Sequence, residues 1–208
     1  DVVGYHHNGS GLTKFYLLKS GHGSLVARCT NLVLSWARNY GRTFTHLHAD
    51  NAPNLCAGEN QTVCEEWGLH ISTCAPYEPR GNATIERAWR TSANDTRAAL
   101  VGGNLSAHAN LWWYAMRDAM AKDWCVPLRR EGKWTTKWEL FTGHRPSATV
   151  HRTFACLAWA KLYHPKSKVA HQGARCLCFG RAEDQPAYVL YDGNRIHVTP
   201  HCYFEPTC

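Results

Sequence analysis

The sequence predicts an α/β domain followed by a small all-β module, the two joined through a helical and basic stretch. Strand-like and helix-like hydrophobic periods alternate through the first third of the chain, the pattern of a sheet flanked by helices. Two long helical patterns follow, and beyond Phe154 the chain breaks into short hydrophobic runs separated by turn residues. These observations divide the 208 residues into 1–105, 106–150 and 151–208. A hydrophobic content of 44% with nine tryptophans excludes a disordered tail. The longest apolar run, Leu111 to Met116, is six residues, far short of the roughly 18 to 20 that a membrane-spanning helix needs, so no membrane partner is expected. The chain opens at Asp1 without a methionine and reads as a piece of something longer.

Each element has a local reason. Phe15 to Leu18 has strand character, and Ser24 can cap a helix whose Leu25, Cys29, Leu32, Val33, Trp36 and Tyr40 follow helical spacing up to Gly41. Thr43 to Asp50 reads as a strand entering the turn-rich Asp50-Asn51-Ala52-Pro53-Asn54. A short helix from Thr62 to Trp67, stopped by Gly68, precedes the strand Leu69 to Ser72. After the Pro- and Gly-bearing loop Ala75 to Ala83, helices are predicted over Thr84 to Leu100 and Ser106 to Trp124. The later runs, Phe154 to Lys161, Cys176 to Phe179, Tyr188 to Tyr191 and Ile196 to Phe204, with a hairpin turn at Asp192-Gly193-Asn194, predict an antiparallel barrel of about 50 residues.

Charge is uneven. Residues 1–105 carry a net +1 and residues 106–208 a net +6. Between 129 and 175 stand ten basic residues, among them Arg129, Arg130, Lys133 and Lys137, against Glu131 and Glu139 alone. That density fits either a polyanion partner or a solvated basic surface. The ten cysteines include no CxxC pair, and several sit inside apolar runs where they read as small buried hydrophobes. Five N-x-S/T sequons, at Asn8, Asn60, Asn82, Asn94 and Asn104, keep open a secreted, disulfide-bonded glycoprotein, which requires those asparagines on open surface.

The chemistry centres on two acids. Asp50 stands where a strand gives way to a loop, and Glu86 lies in the first turn of a helix, 35 residues intervening. The helix register puts Arg90 and Arg97 broadly on the face of Glu86, while Trp89, Ala93, Thr96 and Leu100 can pack inward. Two converging carboxylates need a cation, and Mg²⁺ or Mn²⁺ with oxygen ligands would activate a water or sugar hydroxyl for in-line attack on a phosphodiester. The neighbouring guanidinium groups would then meet phosphates.

The segments HADN at 48–51 and STCAPYEPRGNATIER at 72–87 resemble the second and third acidic motifs of Copia-type LTR retrotransposon integrases. ELFTGHRP at 139–146, FACLA at 154–158, Tyr191-Asp192 and the Val198 to Phe204 strand follow in the family's order. The resemblance spans about residues 43 to 205. It implies an RNase H-like integrase core with a helical extension, followed by an SH3-like barrel, within an amino-terminally truncated fragment of a Pol polyprotein. It further implies metal-dependent DNA 3′-end processing and strand transfer, with Asp50 and Glu86 as catalytic, Mg²⁺- or Mn²⁺-binding residues. Arg87, Arg90, Arg97, Arg129, Arg130, Lys133 and Lys137 are the expected DNA contacts, on element ends and target DNA. A homo-oligomer acting inside the cell, in the nucleus, belongs to the same expectation. The first acid of the triad is either Asp1, the sole acid before Asp50, or an upstream residue. Ala52-Pro53 and Ala83 replace glycines usual in the family, and no His/Cys zinc-binding domain appears. A catalytically inactive DNA-binding remnant of such an enzyme is the alternative.

Other patterns have two meanings. His46, His48 and Asp50 alternate along one strand face, an array that holds zinc in some hydrolases or simply lines a polar surface. Trp134 and Trp138, among Lys133, Lys137 and Arg145, could stack on bases, or their four-residue spacing could put both on one buried helix face. Packing is the favoured alternative, leaving DNA contact to the cations.

Overall fold

A computed structural model describes residues 1–74, 82–161, 173–183 and 185–205. In chain order the elements are β1 (Val2–His7), β2 (Leu12–Leu17), α1 (Gly23–Arg38), β3 (His46–Ala49), α2 (Pro53–Cys56), α3 (Gly58–Glu66), β4 (His70–Thr73) and α4 (Ala83–Gly102). Then come α5 (Trp112–Asp123), β5 (Pro127–Arg130), β6 (Lys133–Thr136), α6 (Lys137–Thr142), β7 (Leu157–Lys161), β8 (Gly173–Arg181), β9 (Tyr188–Tyr191), β10 (Ile196–Thr199) and β11 (Cys202–Phe204). They form two compact units, residues 1–91 with 124–146, and residues 92–123 with 147–208. No helix among the described residues is long and apolar enough to cross a membrane.

In the first unit, β1 and β2 form an antiparallel hairpin in which Gly4 faces Phe15. A Cβ on Gly4 would lie 2.5 Å from Phe15 Cε1, so the ring occupies the space a side chain would need. Helix α1 begins one residue before Ser24, capped by His22, whose ring nitrogen accepts from the Ser24 amide. Its Val26 and Cys29 pack with Val3 and Leu18, whereas Leu34 joins Cys64 and Leu69. Because the helix is buried from two directions, its apolar positions do not form the single expected stripe, and Leu32 is exposed. β3 and β4 pair in parallel, His46 opposite His70 and Ala49 opposite Thr73, with α3 in the crossover. Among the described residues the β1–β2 and β3–β4 pairs are separate two-stranded sheets.

Asn60 is fully buried. It accepts from Thr30 Oγ1 at 2.6 Å and donates to the Leu55 carbonyl at 2.5 Å, tying α1 to the α2 segment. A glycan there is incompatible with the fold, so this sequon fails the open-surface requirement of the glycoprotein alternative. Cys176 and Cys178 are buried thiols, as their apolar run predicts, whereas Cys156 in FACLA is only half-buried; Cys29 and Cys64 are buried as well, and burial pushes the Cys178 thiol up to about 11.

The two tryptophans expected on one helix face separate. Glu131 and Gly132 both take positive φ, 50° and 79°, so the chain reverses in a tight two-residue turn and Trp134 lies in strand β6. Helix α6 starts only after Thr136, whose Oγ1 accepts from the Glu139 amide at 3.0 Å. Trp138 is therefore packed among Trp36, Tyr40 and Trp124, while Trp134 is 71% exposed.

The second unit contains α5, the later half of α4 and an antiparallel sheet in the order β10-β9-β8-β7-β11. Leu105, Leu111, Ala115, Phe154, Phe179 and Val189 form one cluster, and Ala158, Ala160, Cys176, Cys178 and Leu190 a second. The sheet is strongly curled. Thr199 and Cys202 stand three residues apart on opposite edges, a reach of about 11 Å, whereas a flat sheet would separate those edges by about 19 Å. Accordingly the Tyr188 and Phe204 rings meet at 4.8 Å although β8 and β7 lie between their strands. The expected barrel does not close, since β10 and β11 remain unpaired edges among the described residues. The Asp192-Gly193-Asn194 turn forms as predicted, Asp192 Oδ1 accepting from the amides of Asn194 and Arg195.

Candidate active site

The site is built on the loops that leave β3 and β4. Ala49 is buried at the end of β3, and its carbonyl accepts from the Cys74 amide at 3.1 Å. Asp50 then emerges to solvent. Its Oδ1 accepts from the Ala52 amide at 3.0 Å, an Asx turn that leads into Pro53 at the start of α2. Asn51 donates to the Cys74 carbonyl at 2.9 Å, tying the loop after β3 to the end of β4. Asn54 donates to the Gly21 carbonyl at 2.9 Å. Asp1 reaches the same place: its backbone nitrogen donates to the Leu18 carbonyl, and its Oδ2 lies 3.6 Å from where a Cβ on Gly21 would sit. Asp1 and the loop carrying Asp50 thus converge on Gly21. Nothing in the sequence marks Asn51 and Asn54 as clamps beyond their place in the turn-rich segment beside Asp50.

Glu86 is exposed in the first turn of α4, its amide donating to the Asn82 carbonyl. The start of this helix is seated on the β1–β2 hairpin. Trp89 meets Phe15 edge-on at 5.2 Å, and Ile85 approaches Gly4. That side is only partly covered, Trp89 remaining 38% exposed, and Glu86, Arg87 and Arg90 face solvent, as does Arg97 further along the helix, where it donates to Asn94. Arg129, Arg130 and Lys133 are exposed on the β5–β6 hairpin, with Arg130 also donating to the Gly9 carbonyl, whereas Lys137 is half-buried. Residues 75–81 of the third motif, and Lys166 and Lys168 of the basic stretch, lie outside the described residues.

Among the described residues no three His, Cys, Asp or Glu side chains gather closely enough to hold a metal ion. The histidine array does not form a zinc centre. His46 Nε2 and His48 Nδ1 both meet Ser72 Oγ, at 2.7 and 2.9 Å, and His48 Nε2 faces Cys74 Sγ at 3.4 Å. Asp50 and Glu86 are both exposed carboxylates, the donor type that Mg²⁺ prefers, and that ion commonly uses one or two carboxylates and completes its shell with water and substrate phosphate.

Retroviral and retrotransposon Pol polyproteins are homologues of this chain. The Gag-Pol polyprotein of bovine immunodeficiency virus (strain R29) is 32% identical over 93 residues, 45% of this chain. The retrovirus-related Pol polyprotein from transposon TNT 1-94 of Nicotiana tabacum is 23% identical over 160 residues, 74% of this chain. The matched parts are only 6% and 12% of those polyproteins' lengths. Among solved structures, a simian T-cell lymphotropic virus intasome in complex with a PP2A regulatory subunit shares the fold with TM-score 0.53 and 18% identity, over 96% of this chain and 74% of the other. The catalytic core domain of BIV integrase is 24% identical, with TM-score 0.47 over 67% of this chain and 90% of that one. No family model matches the chain.

Proposed function

We propose that the chain is the integrase of a Copia-type LTR retrotransposon, carrying out metal-dependent DNA 3′-end processing and strand transfer. Residues 1–105 are its RNase H-like core, 106–150 a helical extension and basic linker, and 151–208 an SH3-like domain. The observation that carries this is the placement of Asp50 and Glu86: one leaves the end of a strand in the parallel β3–β4 pair, the other opens the helix that follows β4, and both are exposed. The homologous Pol polyproteins support it independently.

Asp50 and Glu86 would hold Mg²⁺ or Mn²⁺, which when bound neutralises the carboxylates and lowers the cost of ionising an attacking water or 3′-hydroxyl. The Asx turn at Asp50 keeps one carboxylate oxygen engaged and fixes the direction of the other. Arg87, Arg90 and Arg97, with Arg129, Arg130, Lys133 and Lys137, hold DNA phosphates and set the position of the strand. A homo-oligomer brings two element ends together, and the reaction takes place in the nucleus.

The test is nicking of supercoiled plasmid by the 208-residue chain in Mn²⁺, beside crystals soaked in Mn²⁺. Metal-dependent nicking abolished by Asp50→Asn and by Glu86→Gln, with an anomalous peak between the two side chains, is the expected result. Salt-dependent DNA affinity without nicking or a peak would instead establish the inactive DNA-binding remnant. The absence of a three-ligand cluster among the described residues is what keeps that second possibility in view.

A further inference from the structure

We propose that the β5–β6 hairpin is an unpaired-base clamp in which Trp134 stacks on an exposed base face while Arg129, on the same face, holds the adjoining phosphate. The inference rests on the DNA-binding part of the proposed function and adds to it a specific contact and a preference for unpaired ends.

The hairpin has the construction such a clamp needs. Its two strands join through the Glu131-Gly132 turn, whose positive φ values match the twist of the strands and hold the arms in one register. Arg129 stands directly opposite Trp134, and Arg130 opposite Lys133. Alternation therefore places Arg129 and Trp134 on one face and Arg130 and Lys133 on the other. Arg130 donates to the Gly9 carbonyl in the β1–β2 turn, which fastens one side of the hairpin to the body of the unit. Trp134 is left 71% exposed, the most exposed tryptophan described. It makes no aromatic or cation–π contact among the described residues, while its sequence neighbour on α6, Trp138, is packed among three rings.

Charge selects the partner. Arg129, Arg130 and Lys133 outnumber Glu131 at the tip, and neither Arg129 nor Lys133 has an ion-pair partner among the described residues. A flat aromatic ring beside free cations suits the alternating base and phosphate of a nucleic-acid strand. Inside a duplex each base face is covered by its neighbours, so a ring standing out from a hairpin finds a free face only on an unpaired base or a frayed end. The occupant is accordingly single-stranded DNA, including the unpaired end of a duplex.

The experiment measures anisotropy of labelled oligonucleotides with the full chain: a blunt duplex, the same duplex ending in unpaired bases, and a single strand, each across a salt series. Trp134→Ala is expected to lose about tenfold affinity for the two unpaired substrates and less than about twofold for the blunt duplex, with Trp134→Phe recovering most of the loss. Arg129→Ala is expected to weaken all three and to reduce the salt slope by about one. Because Trp134 is exposed, its variants should keep the wild-type melting temperature. Equal loss on all three substrates, or no loss on any, overturns the clamp while leaving the integrase proposal intact. Absence of salt-dependent DNA affinity in the wild-type chain overturns both.

Discussion

The two units reach stability by different means. The second lays five strands into one antiparallel sheet, with a register shift between Cys178 and Arg181, and buries apolar side chains on it in two clusters. Among the described residues the first has three separate two-stranded sheets, knitted together by side chains: the Thr30–Asn60–Leu55 chain of hydrogen bonds, the Asn51 and Asn54 clamps, and a group of stacked rings around Trp36 and Phe141. Short sheets end in many loops and helix starts, and these carry the candidate acids, Asp50 on a loop and Glu86 in the first turn of α4. A unit that spreads its order over side-chain clamps can therefore present exposed carboxylates and cations, whereas the continuous sheet leaves few such ends.

That contrast breaks most severely where the first unit has its densest packing. Phe141 is buried, stacked on Trp36 at 5.0 Å, and its main chain accepts from Arg42, as does Leu140. Phe141→Ala should cost about 3–5 kcal/mol in urea unfolding of the whole chain. A loss below about 1 kcal/mol would mean the ring cluster does not hold the unit together.

In the second unit a single backbone position has comparable weight. Gly180 has φ +89°, and an added Cβ would lie 2.5 Å from the Asp118 carboxylate. Gly180→Ala should destabilise by about 2–3 kcal/mol, read as a lowered melting temperature. Replacement without penalty would show that α5 can draw back from β8.

Two acids of the same unit should respond to pH in opposite senses. Asp192 accepts from His197 at 2.7 Å and from two backbone amides, which hold its carboxyl well below the usual carboxylate range. Its stabilisation is present above about pH 4 and is lost as pH falls toward its depressed folded value. Burial raises Asp118, despite Lys122 Nζ at 2.5 Å. Its ionisation therefore weakens the fold as pH rises from the ordinary carboxylate range through the raised value. Melting temperatures of wild type and Asp192→Asn should converge on acidification, whereas Asp118→Asn should gain on wild type as pH rises. Parallel profiles would sink the assignment.

Hydrophobic pattern and turn chemistry made much of this legible. The strands after Phe154, the Asp192 turn and the helix around Glu86 are written in apolar spacing and a few turn residues. Trp134 was not, because four-residue spacing describes a helix face only when no turn intervenes, and Glu131-Gly132 is such a turn. The open edge between β10 and β11 was equally hidden, since strand order depends on contacts far apart in sequence. At the candidate site, Asp50 and Glu86 could be named from motif and position. The clamps that aim their loops could not, as a short polar side chain takes its role from whichever backbone carbonyl the fold brings near.

The smallest stability effect belongs to the most important candidate. Asp50 is exposed and makes one described hydrogen bond, from its Oδ1 to the Ala52 amide. Asparagine keeps that acceptor while removing the charge, so Asp50→Asn should shift unfolding by no more than about 0.5 kcal/mol. The measurement is a urea midpoint beside that of Phe141→Ala. A shift above about 1 kcal/mol would make Asp50 a structural cap like the Asn51 and Asn54 clamps around it. An unchanged midpoint with nicking abolished would separate the carboxylate's charge from its loop, as expected of a group whose role is to hold a cation against a phosphodiester.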